Sequence, residues 1–396
     1  MKKLLFLYCV VFSVFCVESC QHKKTDKVNI IDENIAFAAD QYELLLQSIE
    51  DPEKLLNPKS FIDGEMKFIP PQEWTSGFFP GSLWYIYELT GDEKWKNAAI
   101  KYTEMLDTIQ YYTGNHDVGF MIGCSYGNGY RLAGNENYKD IIVQAAKSLS
   151  TRYNPSVGLI QSWNANPSKD WEYPVIIDNM MNLELLFDAT EFSGDSSFYN
   201  IAVTHADNTI KHHYRSDYST WHVIDYSKED GTVRHRNTHQ GYADESAWAR
   251  GQSWGIYGYI LCYRKTKDQK YLAQAEKALE FIANHPNYPE DGVPYWDYDA
   301  PEVPDTYRDA SAGSILASAL YELSTYSNKR NYQEWADKII NTLSSPDFRA
   351  PLGENGNFIL MHSVGSLPHN SEVDVPLNYA DYYFLEALKR KKDLKK

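Results

Sequence analysis

A short phrase recurs along this chain and dictates most of what it can become. It reads Leu-Thr-Gly-Asp-Glu-Lys-Trp at 89–95, Leu-Ala-Gly-Asn-Glu-Asn-Tyr at 132–138 and Phe-Ser-Gly-Asp-Ser-Ser-Phe at 192–198. Related copies, Thr-Lys-Asp-Gln-Lys-Tyr and Ser-Asn-Lys-Arg-Asn-Tyr, fall at 266–271 and 327–332. Each follows one apolar helical run and precedes another. In most of them Gly, Asn or Asp stands where a left-handed helix cap forms, and the closing aromatic docks the next helix. The copies start 43 to 74 residues apart, the span of a helical hairpin with its loop, so the chain holds about six hairpins. Such hairpins either stack into an open solenoid or close into a ring. The segments at 82–89, 178–186 and 311–320 are apolar nearly all round, with small residues interspersed. A helix of that kind is buried on every side. The expected fold is therefore all-α, an (α/α)6 barrel of six closed hairpins. Its first helix is expected near 31–49 and its last near 379–391, with strand-like alternation confined to pieces such as 220–224.

The ends and the charge set further bounds. Lys2 and Lys3 precede a 14-residue apolar run at 4–17, with Ser19 and Cys20 after it. The run is short for a membrane span and reads as a signal peptide, with Cys20 as a lipidation site. The division is a signal at 1–19, a tether at 20–30 and a single catalytic domain at 31–396. This implies an exported, periplasmic protein whose tie to a membrane is a lipid anchor. Beyond that segment only Cys124 and Cys262 remain, which make no disulfide framework or metal pattern and read as buried small hydrophobes. A net charge of -16 excludes a general nucleic-acid binder, though a pocket on an acidic protein can still be locally positive.

The chemistry must lie in loops dense in Trp, His, Asp and Gly. They run at 71–81, 115–121, 161–164, 173–181 and 235–254. Aromatic faces beside carboxylates and amides suit carbohydrate, whose C–H faces stack while its hydroxyls need partners. No phosphate loop, dinucleotide fingerprint, zinc-protease motif or nucleophile elbow is present, and no His/Asp spacing is diagnostic of a metal. Asp178 follows three apolar residues and opens an apolar helix. Burial there would raise its pKa and suit an acid/base; its competing role is a helix N-cap. Asp117 has the same two readings. Arg250, one turn before Trp254, either clamps a substrate carboxylate or pairs with Asp244 or Glu245. His222, His235 and His239 are candidate donors to a sugar, whereas His212 and His213 read as a solvated face. Trp74, Trp163 and Trp254 are stacking platforms or core.

These residues carry a resemblance. The stretches Gly-Phe-Phe-Pro-Gly-Ser-Leu-Trp at 77–84, His-Asp-Val-Gly-Phe at 116–120 and Ile-Asp-Asn-Met-Met at 177–181 are similar to the unsaturated glucuronyl hydrolases of glycoside hydrolase family 88. So are the long run at 238–255, which contains Arg-Gly-Gln-Ser-Trp-Gly, and Pro-Leu-Asn-Tyr-Ala-Asp-Tyr-Tyr at 376–383. The resemblance implies an (α/α)6 barrel that needs no cofactor. Its substrates would be unsaturated glycosaminoglycan di- or oligosaccharides left by polysaccharide lyases. It implies hydration of the C4=C5 bond of the terminal uronate, with Asp178 as acid/base and Asp117 as second carboxylate. His222 and Gln240 would bind the uronate and place water, Arg250 would hold it, and Trp74, Trp163 and Trp254 would shape the site. Ser363 and Ser366 match a sulfate-contacting Ser-x-x-Ser pattern, but Pro368 stands where some members have a lysine. Two other readings are an unsaturated rhamnogalacturonyl hydrolase acting on pectin fragments and a non-catalytic, lipid-anchored sugar-binding protein.

Overall fold

The computed structural model describes residues 29–51 and 54–395. The expected signal and Cys20 lie outside the described residues. Thirteen α-helical segments are present among them. They are α1 (Ile30–Ser48), α2 (Phe78–Thr90), α3 (Glu93–Glu104), α4 (Val118–Ile122), α5 (Asn128–Ala133), α6 (Glu136–Ser150), α7 (Asn179–Ser193) and α8 (Ser196–His212), followed by α9 (Ala249–Thr266), α10 (Gln269–Asn284), α11 (Ala310–Leu323), α12 (Tyr332–Leu343) and α13 (Asn378–Asp393). A π turn at Gly123–Gly127 joins α4 to α5 as one continuous helix. Counting it once leaves twelve helices, which pair into the six expected hairpins. α2, α4–α5, α7, α9, α11 and α13 form the inner ring, and α13 closes it by packing on α2, α11 and the outer helix α1.

Burial separates the two layers as the apolar pattern requires. Every residue of α11 is buried. In α12 burial is confined to Tyr332, Ala336, Ile339, Ile340 and Leu343, one stripe at helical spacing. The recurrent phrase is the turn from an inner to an outer helix. Gly91, Gly134, Gly194 and Lys267 adopt left-handed caps with φ of 74°, 64°, 75° and 59°. Asp92, Asn135, Asp195 and Asp268 then cap the outer helices by accepting a backbone N–H two residues on. The docking aromatics Trp95, Tyr138, Phe198, Tyr271 and Tyr332 are all buried. These turns gather at one end of the barrel. A cavity of about 510 Å³ opens there, ringed by ion pairs such as Glu88–Arg131, Glu184–Arg264 and Asp188–Lys265.

At the other end, where the inner helices begin, the connections carry four small antiparallel sheets. β1 (Asn57–Ile62) pairs β2 (Glu65–Ile69), and β3 (Tyr153–Asn154) pairs β4 (Leu159–Ile160). β5 (Pro174–Ile176), β6 (Val223–Tyr226) and β7 (Val233–Asn237) form a three-stranded sheet, and β8 (Ser363–Ser366) pairs β9 (Ser371–Val375). The strand expected at 220–224 is displaced to β6, with Thr220 making only an isolated bridge to Tyr214. His213, expected on a solvated face, is fully buried at the end of α8, where its ring lies by Tyr226. Cys124 and Cys262 are free and buried, as expected.

Candidate active site

Two carboxylates stand at the starts of inner helices α4 and α7. Asp117 and Asp178 occupy cap positions, yet neither side chain caps its helix. Elsewhere in the chain Asp92, Asp195, Asp268 and Asp309 do spend a carboxylate oxygen that way. The N-cap reading is thereby excluded for both, and both carboxylates are left for other work. Gly119 lets α4 abut α7, because a Cβ there would sit 2.5 Å from Asn182 Oδ1. That approach brings the two acids close enough to feel each other. Burial, then the charge of Asp178, pushes Asp117 well above the usual carboxylate range. Burial raises Asp178 to about 7, against the pull of Arg250.

Each acid faces a buried histidine held in one tautomer. His222 Nδ1 accepts the backbone N–H groups of His239 and Gln240, at 3.1 and 3.2 Å. Its proton is therefore on Nε2, 3.9 Å from Asp178 Oδ2. On the other side Asn182 Oδ1 accepts from the Phe120 N–H, which turns Asn182 Nδ2 toward His116 Nδ1 at 3.4 Å. The His116 proton is thus on Nε2, 3.3 Å from Asp117 Oδ1. Burial holds both imidazoles neutral, His116 pushed down to about 3 and His222 well below its ordinary value. The distance between Asp178 and His222 is a product of the sheet. β5 ends one residue before Ile177, β6 begins after His222, and the Ile177 N–H donates to the His222 carbonyl at 3.1 Å.

Aromatic walls complete the pocket. Half-buried Trp74 packs on Phe78, Phe120 and Tyr379. Half-buried Trp163 stacks on Trp171 at 5.6 Å and meets the rings of His222 and His239 edge-on. The buried polar atoms Asp178 Oδ2, His222 Nε2, Ser363 Oγ, Trp254 Nε1 and Tyr379 OH have no hydrogen-bond partner within the protein. Buried polar atoms are nearly always satisfied, so such a group at one end of a barrel suits a polar ligand.

A match to the model of Glycosyl Hydrolase Family 88 spans residues 57–391. The chain belongs to that family. It is 46% identical to an unsaturated glucuronyl hydrolase of Formosa agariphila over 100% of this chain and 99% of that one. It is 34% identical to an unsaturated chondroitin disaccharide hydrolase of Streptococcus agalactiae, covering 82% of each. The crystal structure of an unsaturated glucuronyl hydrolase specific for heparin superposes with a TM-score of 0.89 at 47% identity, over 92% of this chain and 98% of that one.

Within this family 88 site the structure revises several expectations. Arg250 is 1% exposed and is not an open fork. Its guanidinium bonds Asp309 and the carbonyls of Val364 and Gly365, so it braces the β8–β9 hairpin against the barrel. Neither Asp244 nor Glu245 is its partner; both lie beside Arg215, which bonds the Asp244 carbonyl and approaches the Glu245 carboxylate. Trp254 is fully buried against Phe120 and Tyr383, a pillar under the pocket with no free stacking face. Gln240 spends an amide N–H on the Gly365 carbonyl. Ser363 is buried, whereas Ser366 is half-buried with its hydroxyl 2.8 Å from His369 Nδ1. His235 lies away from the two acids, on Asp170. Two residues escaped the sequence reading. His116 was visible in the run Asn-His-Asp but overshadowed by its neighbour. Arg152, which ties the carbonyls of Thr113, Gln161 and Ser162 together beside Asp117, carries no sequence signal.

Proposed function

We propose that this family 88 enzyme removes the 4,5-unsaturated glucuronic acid from the non-reducing end of lyase-generated glycosaminoglycan oligosaccharides by hydrating its C4=C5 bond. The observation that carries the reading is the matched pair of uncapped, buried carboxylates, each facing the Nε2–H of a neutral imidazole. An aspartate titrating near 7 holds a proton where an ordinary one has lost it. Asp178 gives that proton to C4. The π electrons form the new C4–H bond and leave positive charge at C5, shared with the ring oxygen. Water adds at C5 and returns a proton to the Asp178 carboxylate. The resulting hemiketal opens at its C5–O5 bond, and the hemiacetal left at C1 expels the second sugar as an alcohol.

Asp117 and Asp178 repel as like charges, so the pair keeps a proton near neutrality, and Asp117, itself raised by burial and by Asp178, is the second carboxyl group beside the reacting carbons. His222 and the Gln240 region place the uronate and the water, and Trp74 and Trp163 wall the sugar. Arg250 contributes through its charge and through the hairpin it holds.

The test is incubation with lyase-generated disaccharides from hyaluronan, chondroitin, heparin and rhamnogalacturonan, following loss of the ultraviolet absorbance of the unsaturated uronate. Turnover of the glycosaminoglycan products is expected. Turnover of the pectic product alone would move the function to an unsaturated rhamnogalacturonyl hydrolase, and turnover of none would overturn the reading. For location, the proposal is a periplasmic lipoprotein anchored through Cys20. It rests on the basic start, the apolar run and the cysteine that follows. Labelled palmitate should enter the wild type and not Cys20→Ala; an unlabelled wild type would remove it.

A further inference from the structure

We propose that Arg152 is a positioning residue for the hydration reaction, a buried guanidinium that fastens the Asp117 loop to the Trp163 segment and, with no carboxylate of its own, directs its positive charge at Asp117. This deepens the functional reading above and rests on it. Arg152 lies between α6 and β3, and its side chain is buried. Its Nη1 donates to the Thr113 carbonyl at 2.7 Å and its Nε to the Gln161 carbonyl at 2.7 Å, while Nη2 lies 3.4 Å from the Ser162 carbonyl. Ser162 is a crossing point of the site. Its carbonyl also accepts the His116 N–H at 3.1 Å. Its hydroxyl accepts the Ile176 N–H at 2.9 Å and an amide N–H of Asn179 at 3.3 Å, on either side of Asp178. One arginine thus holds the backbone that leads to Asp117, the backbone that carries Trp163, and the serine that joins both to Asp178.

The charge of Arg152 is as telling as its reach. Among the described residues no carboxylate pairs with it; its donors go to the three carbonyls and to Asn164 Oδ1, at 3.2 Å. Arg250 differs, because it meets Asp309 directly. A buried cation left uncompensated acts over a longer distance than one already paired. The groups that face Asp117 come from four segments. Asp178 at the start of α7 and Glu73 in the segment before α2 are acidic, His116 is neutral, and Arg152 is the cation. Glu73 is itself bound to Lys59 at 2.9 Å. Arg152 therefore opposes at Asp117 the burial and the like charge of Asp178, as Arg250 opposes burial at Asp178. Each acid has one buried arginine, and in both cases the guanidinium is oriented by backbone carbonyls.

The experiment compares kcat, KM and the pH–rate profile of the full enzyme and three variants on unsaturated glycosaminoglycan disaccharides. Asn164 is exposed, and Asn164→Asp sets a carboxylate on Arg152 while leaving its three carbonyl bonds in place. The limb on which Asp117 ionises should move to higher pH, with KM and melting temperature kept. Arg152→Met loses both the charge and the fork. The same limb should move the same way, and KM should rise about threefold or more. Arg152→Lys keeps the charge, but one ammonium cannot span three carbonyls, so KM should rise while the limb stays. An unmoved limb in Asn164→Asp would overturn the charge role, whether or not Arg152→Met folds. Wild-type KM in Arg152→Lys would overturn the fastening. A wild type that turns over none of the disaccharides would overturn the functional reading, and the role of Arg152 with it.

Discussion

Asp178 and His222 stand 3.9 Å apart, carboxylate Oδ2 to imidazole Nε2, because the backbone beside one is hydrogen-bonded to the backbone of the other. The acid begins an inner helix and the histidine precedes a strand, 44 residues later in the chain. Only the antiparallel pairing of β5 with β6 brings them together. Asp117 and His116 repeat the arrangement within a single loop. The site therefore sets two buried acids beside two fixed N–H groups; burial and their mutual repulsion favour holding a proton, while the N–H dipoles ease its departure.

Asp178→Asn removes the proton that passes to C4. Turnover should fall about a thousandfold or more, with substrate affinity largely kept, because the amide retains the shape of the pocket. In the wild type kcat should decline as pH rises through about 7, where Asp178 ionises. A variant with normal turnover, or a rate flat to pH 9, would remove Asp178 as the acid.

The same raised pKa makes Asp178 a liability to folding at high pH. Its folded pKa, about 7, lies above its unfolded value, so folding takes up a proton between about pH 4 and 7. Its contribution is favourable below that window and is lost as pH rises through 7. Asp178→Asn escapes the loss and should be more stable than the wild type at pH 8, by up to about 4 kcal/mol. The difference should vanish near pH 4. Thermal melts at the two pH values measure it, and equal melting temperatures at pH 8 would contradict the buried-acid argument.

How legible these features were depends on the range of the interactions that make them. Gly91 and Asp92 announce a turn because left-handed caps and N-caps are settled within four residues, and the hairpins follow by repetition. The small sheets are hidden. β5 is three residues long, and β9 contains Glu372 and Asp374 at φ of 54° and 57°, which no alternation pattern signals. Asp117 and Asp178 were legible as candidates, but only geometry separates them from Asp195 and Asp268, which do cap. Arg250 was legible as important and misassigned in partner, since Asp309 lies 59 residues away and meets it only once the ring closes.

His116 holds a neutral Nε2–H 3.3 Å from Asp117 Oδ1, close to it but not hydrogen-bonded. His116→Ala removes that donor and should lower kcat about tenfold or more, with little change in KM. Removing an N–H dipole beside a carboxylate disfavours its ionised form, so the limb of the pH–rate profile on which Asp117 ionises should move to higher pH. His116→Gln, which can present an amide N–H, should recover part of both. An Ala variant with lower activity and an unmoved profile would mean that His116 serves only packing.

Arg250 tests whether the hairpin wall or a direct clamp matters more. Arg250→Met leaves Asp309 buried without its cation and frees two hairpin carbonyls, and should cost about 3–5 kcal/mol of stability. Asp309 also caps α11 through the Ser311 N–H, a bond that Asn can keep. The double variant Arg250→Met/Asp309→Asn removes the stranded charge and should regain much of the lost melting temperature. The carbonyls of Val364 and Gly365 stay unbraced in both, so KM should be raised to a similar degree in both. A double variant no more stable than the single one would defeat the buried-charge account. Wild-type KM in either would show that the β8–β9 hairpin needs no brace from Arg250 to hold substrate.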